Sequence, residues 1–116
     1  MDAYNLIISV LTFDKSYSRQ IKNGVDNVDL YNRITSLPKE FLNKNGVRLN
    51  KIHRDSPQLN EAFHFLASGG VLDQMVHSKK YIWIFPLTPA EYFEKNIKPN
   101  LNEDQIKELE EVINSP

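Results

Sequence analysis

With 116 residues and a formal net charge of −1, the chain is long enough to bury one core without metal or disulfide support. It is too nearly neutral for a strongly basic nucleic-acid binder, and the absence of cysteine excludes disulfides and thiol chemistry. The apolar run 4–13 is too short to span a bilayer; no basic residue precedes it and no small-residue cleavage site follows it, so a cytoplasmic protein is expected.

Residues 2–13 match a helix, with Tyr4, Ile7, Ile8 and Leu11 at i, i+3, i+4 and i+7. Leu6, Val10 and Phe13 widen the stripe, so the helix is buried on most sides or used at a dimer contact; a strand is the competing reading. A weak helical turn at 17–21 is followed by a turn at Asn23-Gly24. The next helix starts at Asp26 or Asn27, either of which can cap it, and shows an inner face of Val28, Tyr31 and Ile34. Ser36-Leu37-Pro38 opens a third helix, with Ser36 as N-cap and Pro38 in the first turn; it carries Phe41 and Leu42 and stops at Asn45-Gly46. Val47, Leu49 and Ile52 suit a short extended segment.

Ser56-Pro57 begins the clearest helix, capped by Asp55 or Ser56, with Leu59, Ala62, Phe63 and Leu66 on one face and a glycine stop at Gly69-Gly70. Val71 to Val76 and Tyr81 to Phe85 then read as two strands around the polar turn His77-Ser78-Lys79-Lys80, with Pro86 closing the second. Thr88-Pro89-Ala90-Glu91 is a capping box; Tyr92, Phe93 and Ile97 face inward, and Pro99 ends that helix. Asn102 caps the last helix, whose narrow stripe of Ile106, Leu109, Val112 and Ile113 packs on its own domain or on a twin.

Helix, glycine, two hydrophobics, short strand, basic loop and aromatic strand resemble the second half of a winged-helix domain. Leu59, Phe63, Leu66, Gly70, Val71 and Leu72 carry the resemblance. It implies an α+β fold, mostly α: winged-helix-like, with one β-hairpin and additional C-terminal helices. The expected arrangement is a single domain over 1–116, its core at about 26–87 and its C-terminal helices at 89–114. Nine residues, 47–55, stand where the family has a tight turn.

No pattern points to catalysis. His53, His64 and His77 match no metal-ligand spacing, and Glu61-x-x-His64 lacks the second copy that helical carboxylate sites need. There is no Gly-rich phosphate loop or nucleophile elbow, so no enzyme, metal or cofactor is expected. Six basic residues against one acid lie between Asn32 and Arg54, and seven acids against three lysines between Glu91 and Glu111. This charge division suggests two different surfaces. The expectation for function is a small DNA-binding protein, a transcriptional regulator. Gln58, Asn60 and His64 would meet base edges, and Arg48, Lys51, Arg54, Lys79 and Lys80, with His53 beside them, would meet phosphates. Against it, that helix holds no Arg or Lys, and Glu61 repels a phosphate backbone. The alternative is a protein-interaction module, such as a phage or mobile-element inhibitor or adaptor of a host protein. Tyr4, Tyr81 and Trp83 would then be anchors if exposed, although Trp83 suits a core position. A homodimer fits either reading.

Overall fold

A helix that is apolar all round has to be wrapped by its own protein or by a partner. In the computed structural model, which describes residues 1–52, 55–75 and 78–115, the chain wraps it itself. Helix α1 (Ala3–Phe13) buries Leu6, Ile7, Ile8, Val10 and Leu11. Asp2 caps it, its Oδ1 accepting from the Asn5 amide at 2.9 Å. Asp14 then ends α1 and caps α2 (Lys15–Gln20). The bundle continues with α3 (Asn27–Thr35), α4 (Lys39–Lys44) and α5 (Pro57–Ser68). It closes with a short α6 (Pro89–Tyr92) and the terminal α7 (Glu103–Asn114). No helix among the described residues is long and apolar enough to cross a membrane.

The expected class holds: mostly helical, with a small antiparallel sheet. The sheet has three strands rather than one hairpin, in the order β1-β3-β2. Strand β1 (Val25–Asp26) joins β3 (Lys80–Trp83) through Val25↔Tyr81 and Asp26↔Lys80, and β2 (Leu72–Met75) lies on the other side of β3. Gly24, at φ +109°, makes the turn that brings β1 to the sheet. Strand β3 stops at Trp83; Ile84, facing the opposite way from buried Trp83, is exposed although its amide still donates to the Val71 carbonyl, and Phe85 packs on Trp83 and Tyr92. Trp83 is core, and its indole N–H donates to the Leu87 carbonyl at 2.7 Å.

Several local expectations change. Asp26, not Asn27, caps α3, accepting from the amides of Val28 and Asp29. Val28 points outward, and Leu30 takes the core position one turn before Ile34. Ser36 closes α3 instead of opening the next helix. Pro38 sits before α4 in an extended conformation with ψ 136°, outside the first turn. Asn45-Gly46 does stop α4, with Gly46 at φ +78° against the backbone of Asp2 and Ala3. Residues 47–52 form no strand: Val47 is buried, Leu49 half-buried, and Ile52 protrudes at 83% exposure. The predicted box at Thr88–Glu91 is present, but the helix passes into a π-helical turn (Phe93–Ile97) and a 3-10 turn (Lys98–Asn100), so Pro99 lies inside the coil rather than ending it. Asn102 caps α7, whose Leu109 and Ile113 are buried in the same domain. The strand position Val76 and the loop residue His77 lie outside the described residues.

Arg33 ties three elements together. Its Nε pairs with Asp14 Oδ2 at 3.2 Å, at the α1–α2 junction, and its Nη2 donates to the carbonyl of Ile113 in the last turn of α7. A guanidinium at a helix C-terminus also offsets the negative end of the helix dipole. Both partners are mostly buried. Replacing the guanidinium by a thioether leaves a carboxylate and a carbonyl without their donor. Arg33→Met is expected to lower unfolding free energy by about 1–3 kcal/mol, read as a reduced urea midpoint with an unchanged m-value.

Candidate functional site

Helix α5 is held by an aromatic sandwich. Phe63 lies between Tyr81 of β3, stacked at 4.9 Å and 2°, and Tyr31 of α3 at 6.3 Å. The Tyr31 hydroxyl also fixes the start of α5, accepting from the Ser56 amide at 2.7 Å. Ser56 Oγ in turn caps the helix by accepting from the Leu59 amide at 3.2 Å. Burial raises the hydroxyl pKa of both tyrosines above the ordinary 10.0. Leu59, Ala62, Phe63 and Leu66 face the core, as their spacing predicts. Gln58, Asn60, Glu61, His64 and Phe65 remain exposed.

Those exposed residues do not share one face. Residues two apart on a helix point about 200° from one another, so the proposed base readers Gln58 and Asn60 lie on opposite flanks of α5. Gln58 turns back on its own chain, its Oε1 accepting from the Arg48 amide at 3.2 Å and from Ser56 Oγ at 3.0 Å. Asn60 lines a shallow cleft of about 340 Å³ with Asn27, Val28, Tyr31, Asp55 and Tyr81. Asn27 and Asp55 each keep one buried side-chain oxygen with no hydrogen-bond donor among the described residues, which makes this cleft unfavourable for a phosphate. His64 stands near Glu61 on the ridge between the flanks.

The proposed phosphate contacts are similarly spread. Arg48 and Lys51 are exposed beside the start of α5. Lys79 occupies the hairpin turn at φ +52°. Lys80 lies on the sheet face away from α5: its stem runs beside Gly24, whereas its neighbour Tyr81 points to Phe63. None of these four cations is in an ion pair among the described residues. His53 and Arg54 lie outside the described residues. No group of three His, Asp or Glu side chains converges as a metal site among the described residues.

One surface was missed by the sequence reading. A groove of about 310 Å³ runs between the start of α1 and α5, with Asp2, Tyr4, Gly46, Glu61, Ala62 and Phe65 among its lining. Phe65, at 62% exposure, is its largest apolar side chain. The signal was available, because Phe65 lies off the Leu59-Phe63-Leu66 stripe. Tyr4 is half-buried and meets the Tyr92 hydroxyl at 3.4 Å; burial, then that hydrogen bond, push its hydroxyl well above the ordinary range, so it stays neutral.

Comparison with protein-family models, with curated proteins and with solved structures finds no match to the chain.

Two neighbouring phenylalanines should therefore respond differently. Phe63→Ala opens the sandwich and is expected to cost about 3–5 kcal/mol, whereas Phe65→Ser should fall within about 0.5 kcal/mol of the parent, both by urea titration of protein dilute enough to be monomeric. The raised tyrosines also set an alkaline limit. Above pH 10 the unfolded chain loses phenolic protons that the native state retains, so stability is full below about pH 10 and falls above it. Tyr81→Phe should reduce that fall while changing little at pH 7, in melting temperatures measured from pH 7 to about 11.

Proposed function

We propose that the chain is a winged-helix-like protein-interaction module that presents the groove side of α5 to a protein surface. The order α3, α4, α5, β2, β3, with Gly70-Val71-Leu72 leading into the hairpin, supports the winged-helix reading. The longer connection at 47–55 is its departure from the family pattern. The observation that carries the functional reading is Phe65: an exposed aromatic next to Glu61, on a helix without a single cation. An apolar anchor of this kind gains free energy from burial against another protein. Against DNA, the same face offers a carboxylate to the phosphates and no guanidinium to guanine.

A DNA-binding regulator is the second reading, favoured by Arg48 and Lys51 beside the start of α5 and Lys79 at the hairpin turn, none of them in an ion pair among the described residues. It requires binding that weakens steeply with salt and is lost in Arg48→Glu/Lys51→Glu. The first reading requires one identified protein to be recovered with the wild type and at least about tenfold less with Phe65→Asp, in quantitative affinity capture from the native host. Equal recovery by both forms, together with salt-sensitive duplex binding in a shift assay, would replace the first reading by the second.

A further inference from the structure

We infer that the surface seated on the α5 groove is a second copy of this chain, related by a two-fold axis. This rests on the protein-interaction reading above and names its partner. An isologous interface needs one patch that is complementary to itself: whatever one copy offers at i, its twin must accept at j.

The groove and the adjoining loop have that composition. On one side stand the carboxylates of Glu61 and Asp2 around Phe65, with no cation among the lining residues. Glu61 has no ion-pair or hydrogen-bond partner among the described residues, and the ion pairs present elsewhere do not involve Asp2. On the other side the chain leaves the groove at Gly46 and continues to Arg48, whose amide is fixed to Gln58 at the groove's end. Beyond it Lys51 and Ile52 project into solvent, Ile52 being the most exposed large hydrophobic residue of the described chain.

Each copy thus carries an aromatic side chain among acids in the groove and, on the loop that leaves the groove's end at Arg48, an exposed isoleucine next to Lys51. A two-fold rotation brings the basic loop of each copy to the acidic groove of the other. The apolar anchors supply burial, and the charges set register and exclude other orientations. The arrangement also explains why α5 has no cation on its exposed face: in the dimer that face meets Arg48 and Lys51 of the twin.

The experiment is sedimentation equilibrium of the full chain from about 1 to 300 µM, with Glu61→Arg, Arg48→Glu and Phe65→Asp. Each variant is checked for an unchanged urea midpoint in protein diluted until wild type and variants are all monomeric, because association itself would shift the midpoint; all three side chains are exposed. The wild type should be dimeric, and each single variant should dissociate at least about tenfold more readily. A mixture of Glu61→Arg with Arg48→Glu should recover the dimer, because each junction again joins opposite charges. A dimer indifferent to all three changes would overturn the assignment of this surface. A monomer throughout that still captures a different protein in a Phe65-dependent way would overturn the second-copy partner and leave the interaction reading standing. A monomer with no Phe65-dependent capture would overturn both.

Discussion

The structure depends on burying α1 on nearly every side. Leu6, Ile7, Ile8 and Leu11 are all fully enclosed, and together they account for several kcal/mol of transfer free energy at about 1.5–3 kcal/mol per side chain. Helix α5 covers one side; α6, the π-helical turn and α7 cover others. Phe13 at the end of α1 meets Phe93 of that turn edge-on at 5.1 Å. This requirement decides what the C-terminal helices do. They complete the wrapping of α1, so the acidic tail is part of the domain rather than a free arm. It also decides what α5 can do: one side belongs to α1, the adjacent side to the Tyr81 ribbon, and only the remaining arc meets solvent.

Charge magnitudes then separate the functional readings. A DNA-binding surface that engages several phosphates needs a cation for each, and affinity scales with that number through counterion release. Beside the start of α5 the described chain offers Arg48 and Lys51, opposed by Glu61; Lys79 sits at the hairpin turn, its carbonyl accepting from the Asn27 amide, and Lys80 is turned to the sheet face away from α5. Such a surface supplies little electrostatic free energy in physiological salt, where exposed charges are screened beyond about 8 Å. Burying one exposed phenyl ring against a complementary surface contributes roughly 1.5–3 kcal/mol and is insensitive to that screening. The apolar term is the larger of the two, and it resides in the groove rather than at the hairpin.

What could be read from the sequence was set by local chemistry. The caps at Thr88 and Asn102 are short-range signals, and the structure places both as read, while at α5 it selects Ser56 over Asp55. The all-round hydrophobicity of α1 and the core position of Trp83 were equally legible, because burial follows apolar density. Strand β1 was not, since two residues carry no periodicity and its pairing with Tyr81 and Lys80 is wholly non-local. Val28 was misplaced because Leu30 and Ile34 make the better i, i+4 pair once β1 fixes the start of α3. The site residues were the least legible. Gln58 and Asn60 were grouped by chemical type, whereas helix geometry sets them on different flanks, and Gln58 is drawn to Arg48 by a loop contact that no spacing rule contains.

The division between a basic middle and an acidic tail also changes meaning once the chain is folded. Two of the six bases counted between Asn32 and Arg54 are engaged by the C-terminal helix: Lys44 reaches Glu108 at 3.1 Å, and Arg33 holds the carbonyl of Ile113. The Lys44 pair is exposed and worth at most about 1 kcal/mol, but its placement shows what the asymmetry does. Part of it ties α7 to α3 and α4 rather than forming two outward fields. Arg48 and Lys51 are the described bases of that stretch that stand beside α5. Two point charges cannot define a docking orientation alone; next to Phe65 and Ile52 they need only select which way an apolar contact is turned.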